Sequence, residues 1–249
     1  MRQITDTVKH LLIINVIMFI GTMAVGGGQL FYDLFALYFP KNALFQPWQI
    51  ITHMFMHGNF THLLFNMFAL WMFGTAVEQV FGKNKFIFFY ISAGLGAAIC
   101  MLIYYYFTYV NGLEALVTSG FEKTQVLEIM NQGKYNTQWE GILGSKLQSF
   151  LGAFNGSMVG ASGAIMGVLV AFGMLFPDSK LMLIFFPVPV KAKYFIPAII
   201  ALDLFSALTG VSIFSPSNTA YVAHIGGALT GFLMMYFWKK DQFDKYRWN

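Results

Sequence analysis

Polar and apolar residues do not alternate finely along this chain; they separate into blocks. Six stretches carry almost no charge, over residues 11–27, 62–81, 86–109, 158–176, 194–213 and 219–238. A hydrocarbon core about 30 Å thick is crossed by about 20 apolar residues in a helix, and backbone groups in lipid must bond within their own segment. The blocks therefore predict six membrane-spanning helices. A seventh apolar run, Leu181 to Val190, is too short to span and holds two prolines, so an interfacial turn is expected there.

Two connections are long. Residues 29–61 are rich in Phe, Leu, Tyr and Trp, which suits a first outside loop lying partly in the membrane and resting on protein. Residues 111–155 form the polar stretch, an outside insertion in which Glu114 to Met130 has the spacing of a surface helix. Residues 1–10 are polar and weakly basic, and no small-residue cleavage site comes after them, so the first apolar run is expected to stay as a span. No repeat or linker divides the pattern. Residues 1–249 read as one all-α polytopic membrane domain.

Composition agrees with the blocks. Of 249 residues 57% are apolar and 10% charged, against about a quarter charged in soluble domains, and the mean hydropathy is +0.61. A net charge of +4, spread in short clusters, argues against nucleic acid as a partner. Arg2, Lys9, Lys83, Lys85, Lys180, Lys191, Lys193, Lys239, Lys240, Lys245 and Arg247 all fall on the side of the two termini, which predicts that side to be cytoplasmic. Only Lys41, Lys123, Lys134 and Lys146 lie opposite. A bacterial inner membrane with both termini cytoplasmic is the expected location. The lone cysteine, Cys100, excludes an intrachain disulfide framework.

Candidate chemistry sits in the polar residues inside the spans, which are costly unless paired or facing a cavity. Ser162 stands among Gly156, Gly160, Gly163 and Gly167, and His224 precedes Gly227 and Gly231. These small-xxx-small repeats let helices approach closely. Ser162 and His224 each fall four or five residues into their span from the outer side, about 6 to 8 Å along the axis, so they are expected at one depth. A serine hydroxyl becomes a useful nucleophile when a base takes its proton, and an imidazole at the same level on a neighbouring helix can do so. The plainer reading is a serine bonded to its own helix and a histidine in an interhelical bond. His62 and Asn66, four apart, share one helical face and could hold an oxyanion together with the Ser162 N–H; a structural network is the plainer alternative. His53 and His57 have i, i+4 spacing, but no acid or H-E-x-x-H pattern accompanies them, so they are read as loop residues and no metal is expected. Asp203 has no position derivable from spacing and stays outside the catalytic set. Glu78 is read as a structural anchor.

Together, Gly160-Ala161-Ser162-Gly163, the A-H-x-x-G-x-x-x-G of Ala223 to Gly231 and the H-x-x-x-x-H-x-x-x-N of His57 to Asn66 resemble the rhomboid family of intramembrane serine proteases. The resemblance covers the six-span core. It implies a rhomboid-like bundle with a membrane-embedded first loop. It also implies a dyad with no required acid, Ser162 as nucleophile and His224 as base and then acid, with His62, Asn66 and the Ser162 N–H on the oxyanion. It implies no cofactor, transmembrane protein substrates and a lipid bilayer as surroundings, and says nothing of oligomeric state. Two positions depart from the common family pattern. Trp48-Gln49 stands where many relatives have Trp-Arg, and Met166 where many have a tyrosine against the catalytic histidine. A non-catalytic rhomboid-like adaptor that binds membrane proteins is the alternative, and a transporter a more distant one, lacking mid-depth charges and paired broken helices.

Overall fold

The computed structural model describes residues 3–183, 186–209, 211 and 220–245. Arg2, Arg247, Thr219 and residues 210 and 212–213 of the fifth apolar block lie outside them. The order of elements is α1 (Asp6–Ala24), α2 (Gln29–Phe35), α3 (Gln49–Thr52), α4 (Phe60–Phe81), α5 (Lys83–Thr118), α6 (Lys123–Asn131), α7 (Trp139–Leu143), α8 (Leu147–Asn155), α9 (Ser162–Leu175), a hairpin of β1 (Lys180–Leu183) and β2 (Phe186–Lys191), α10 (Ala192–Thr209) and α11 (Ala220–Lys245). The architecture is that of an all-α polytopic membrane protein. By length and composition α1, α4, α5 and α10 can each cross a bilayer. Their outward faces are greasy: Ile17 and Ile20 on α1, Phe88 and Phe107 on α5 and Leu208 on α10 are all exposed.

One end of the bundle gathers the start of α1, the end of α4 and the start of α5. The buried Glu78 carboxylate, near the end of α4, accepts the N–H groups of Thr7 at 3.1 Å and Val8 at 3.0 Å, so it caps α1 from another helix. Lys85 at the start of α5 lies 4.1 Å over the Trp238 ring of α11. Beyond α9, Asp178 bonds Lys191 and Lys193 at 3.1 and 2.9 Å, and the predicted interfacial turn is the antiparallel hairpin β1–β2.

The opposite end holds the two long connections. In the first loop, buried Gln49 donates from Nε2 to the carbonyls of Asp33 and Leu44, both at 2.9 Å, and accepts the Gln46 N–H at 3.1 Å. A neutral amide thus ties residues 33, 44 and 46 together. The insertion buries Leu116, Val126, Met130, Trp139, Phe150 and Phe154 in a second core cluster that it shares with Phe39 of the first loop, with α5 and with Ala223 of α11. It grips the first loop. Phe39 packs 6.2 Å from the Phe154 ring, Ala43 N–H donates to Asn131 Oδ1 at 3.0 Å, and Asn42 Nδ2 donates to the Phe154 carbonyl at 2.9 Å.

Two expected boundaries are corrected. The helix expected over Glu114 to Met130 is two pieces: α5 runs on to Thr118, the chain turns at Gly120 with φ +97°, and α6 starts at Lys123. The fourth helix begins at Ser162, not Met158. Met158 and Leu37 exchange hydrogen bonds of 2.9 and 3.0 Å in a bridge, and the Gly160 N–H donates to the His53 carbonyl at 2.9 Å. Backbone paired with the first loop cannot also close helical turns, so residues 156–160 stay out of the helix and Ala161, in helical conformation, serves as its N-cap.

Candidate active site

The length of α9 sets the depth of Ser162. Fourteen residues make a helix about 21 Å long, short of a hydrocarbon core of about 30 Å. Its end lies beside Asp178 and the lysines, so its start falls well inside the outer half. Irregular backbone at such depth persists only where protein satisfies it, which the Leu37 and His53 contacts do. Gly163 to Phe172 are buried throughout, making α9 the central helix of the bundle.

Close approach places His224 next to this start. A side-chain carbon added at Gly227 would overlap the Gly163 carbonyl oxygen, and one added at Gly231 would lie 2.6 Å from Gly167 Cα. The backbones of α9 and α11 therefore touch at two successive turns. One added at Gly163 would lie 3.6 Å from the Ala223 carbonyl oxygen, so the residue before His224 is level with the residue after Ser162. The common depth expected from counting exists, although Ser162 opens its helix while His224 is the fifth residue of α11.

His62 reaches the same place from α4. Gly160 has φ +125°, a conformation that other residues rarely adopt. A side-chain carbon there would sit 2.9 Å from His62 Nε2 and 3.6 Å from Ser162 Oγ, so the imidazole and the hydroxyl flank one point. Behind His62 lies the buried His57 ring, 5.0 Å away at 66°. Asn59 caps α4 by accepting the His62 N–H at 2.8 Å. Asn66, one turn further on, is buried and gives one Nδ2 hydrogen to the His62 carbonyl at 2.9 Å, keeping a second.

Backbone donors complete the arrangement. Among the described residues the N–H groups of Ser162, Gly163 and Ala164 meet no backbone acceptor, as expected of a first helical turn, and they carry the positive end of the α9 dipole. No hydrogen bond joins Ser162 Oγ to His224 among the described residues. Bonds of this kind commonly tighten only when substrate is bound.

Spacing along the chain gives Asp203 no place in the site, yet on α10 its Oδ2 lies 3.0 Å from His224 Nδ1. The signal in the sequence is a single acid in an apolar block, which demands a partner without naming one. Met166 is buried in the helix core. His53 is also buried and bonds through Nδ1 to the Gln49 carbonyl at 2.9 Å, a loop contact.

Comparison with known proteins identifies the family of the chain. A family profile described as the Rhomboid domain matches residues 44–140 and 135–240. Rhomboid protein 1, mitochondrial, of Saccharomyces cerevisiae is 29% identical over 184 residues, 74% of this chain and 40% of that protein. Rhomboid protease AarA of Providencia stuartii is 29% identical over 190 residues, 75% of this chain and 54% of that protein. The presenilin-associated rhomboid-like protein, mitochondrial, of Rattus norvegicus is 30% identical over 178 residues, 71% and 34% of the two chains. The matched region thus spans about a third to a half of these relatives. With the profile matching most of its length, and with apolar helices of membrane-spanning length, this integral membrane protein belongs to the rhomboid family.

Proposed function

We propose that the protein is a serine endopeptidase that cuts transmembrane segments of other membrane proteins within the bilayer. The observation that carries the reading is the meeting of Ser162, His62 and the α11 turn bearing His224 at the free N-terminal turn of α9. His224 takes the Ser162 proton as Oγ attacks the scissile carbonyl, and returns it to the leaving amine. The resulting alkoxide faces the Ser162 N–H, the His62 ring and the free Asn66 hydrogen. Water, activated by His224, then attacks the acyl-enzyme ester and frees Ser162.

An amide bonded within a helix does not present its carbonyl, so substrates carry small or helix-breaking residues near the outer end of their span. Of the relatives compared, the one from Providencia stuartii bears the name protease. We read the membrane as a bacterial inner membrane with both termini cytoplasmic, supported by the basic residues on the terminal side. A reporter span reconstituted with the protein in liposomes is expected to be cut, and Ser162→Ala is expected to abolish the cut. Equal products from the two proteins would reject the enzyme and favour the adaptor.

A further inference from the structure

We propose that Asp203 is a positioning residue for His224, so that the site works with serine, histidine and a carboxylate in line. The inference rests on the reading of Ser162 and His224 as nucleophile and base.

Three observations carry it. Asp203 is the only acid in α10, whose neighbouring positions Leu204 and Phe205 are exposed as lipid-facing residues are, whereas Asp203 and Ser206 are buried toward the bundle. An ionisable group in such a segment marks a pairing. The pairing is direct: Oδ2 stands 3.0 Å from Nδ1 of His224, with the two side chains only 9% and 19% exposed. Finally, among the described residues no other carboxylate bonds any histidine of the group formed by His57, His62 and His224.

The chemistry depends on which nitrogen is occupied. A neutral imidazole carries one proton, and an ionised carboxylate only accepts. With Asp203 against Nδ1, the proton sits there, and Nε2 keeps the lone pair that must receive the Ser162 proton. As that proton arrives the ring becomes an imidazolium, and the fixed negative charge on its far side stabilises it. Asp203 neither gains nor loses a proton. It also holds the ring plane. Asp203 meets His224 at Nδ1 and leaves Nε2 to the hydroxyl, so its contribution belongs to the chemical step and not to substrate affinity.

The test uses the full chain in detergent and in liposomes, with Asp203→Asn as the variant and Ser206→Ala, one turn along the same buried face, as control. Three readouts are taken: cleavage kinetics on the reporter span, the rate at which a fluorophosphonate labels Ser162, and the histidine 15N spectrum that reports the tautomer of His224. Asn keeps the size and an acceptor oxygen but removes the charge. The expected result is a fall in kcat of roughly 10- to 1,000-fold with KM within about twofold, a parallel fall in labelling, loss of the pure Nδ1–H tautomer, and unchanged thermal stability. Ser206→Ala is expected to match wild type. Cleavage and labelling by Asp203→Asn at wild-type rates would overturn the inference and leave the protease reading standing. A loss that tracks KM or unfolding, with the tautomer retained, would make Asp203 a mere helix clamp and overturn it equally. Should wild type itself neither cut nor label, the protease reading fails, and the tautomer alone still decides whether Asp203 orients the ring.

Discussion

Replacing Gly227 by alanine tests whether contact between α9 and α11 holds the site together. The added methyl would fall on the Gly163 carbonyl, 2.7 Å from its carbon, where ordinary contact starts at 3.4 Å. That gap alone needs about 0.7 Å, and the oxygen needs more, so the helices must part by about 1 Å. Ser162 adjoins Gly163 and His224 stands one turn before Gly227, so the separation passes to the pair directly. Misplacement of about 1 Å in a reacting pair costs on the order of 100-fold in rate, and overpacking costs about 1–3 kcal/mol of stability. Gly152→Ala is the control, since an added carbon there meets nothing within 4 Å. The assay is fluorophosphonate labelling of Ser162 beside reporter cleavage. Labelling and cleavage by Gly227→Ala at the Gly152→Ala rates would refute the view that backbone contact sets the distance.

Three other outcomes are expected. His62→Ala and Asn66→Ala should each lower kcat by about 100-fold, the usual cost of one oxyanion donor, and an unchanged kcat in steady-state cleavage would remove that residue from the role. Burial pushes His53 down to about 4 and His57, with His62 beside it, down to about 3. Both stay neutral in the folded loop but take up protons near 6.5 when it opens, so stability is full above that value and falls as pH drops through 6.5 toward 4 and 3, by about 2 kcal/mol per histidine at pH 5. Hydrogen exchange over residues 49–58, corrected for the chemical rate, should rise at pH 5 relative to pH 7.5; equal protection would contradict this. An N-terminal tag should resist external protease in bacterial spheroplasts, and digestion of it would reverse the assigned orientation.

Much of the fold is written locally. Span after span is apolar because lipid cannot satisfy an open backbone, and helices lie at each apolar block. The glycines around Ser162 and after His224 mark close approach in the sequence, and they face each other across α9 and α11. His62 and Asn66 are readable as one helical face because i, i+4 spacing is a property of a single helix. The start of α9 is not readable in this way. Met158 to Ala161 look as apolar as the helix from Ser162 onward, and it is pairing of Met158 with Leu37 and of Gly160 with His53, far earlier in the chain, that keeps the stretch before Ala161 out of the helix. The surface helix expected over Glu114 to Met130 fails for a related reason: the turn at Gly120 lets α6 fold back on α5 and bury Val126 and Met130.

By itself, then, the sequence determined the membrane as solvent, the helical class, and the residue types available for acyl transfer, because solvation and helical periodicity act over one segment at a time. Only the tertiary structure decided that Ser162 opens its helix with free N–H groups, that the outside insertion clasps the first loop, and that Asp203 meets His224. Each of these depends on groups from separate helices or loops arriving at one point, and spacing along a chain carries no record of which distant neighbour packing will supply.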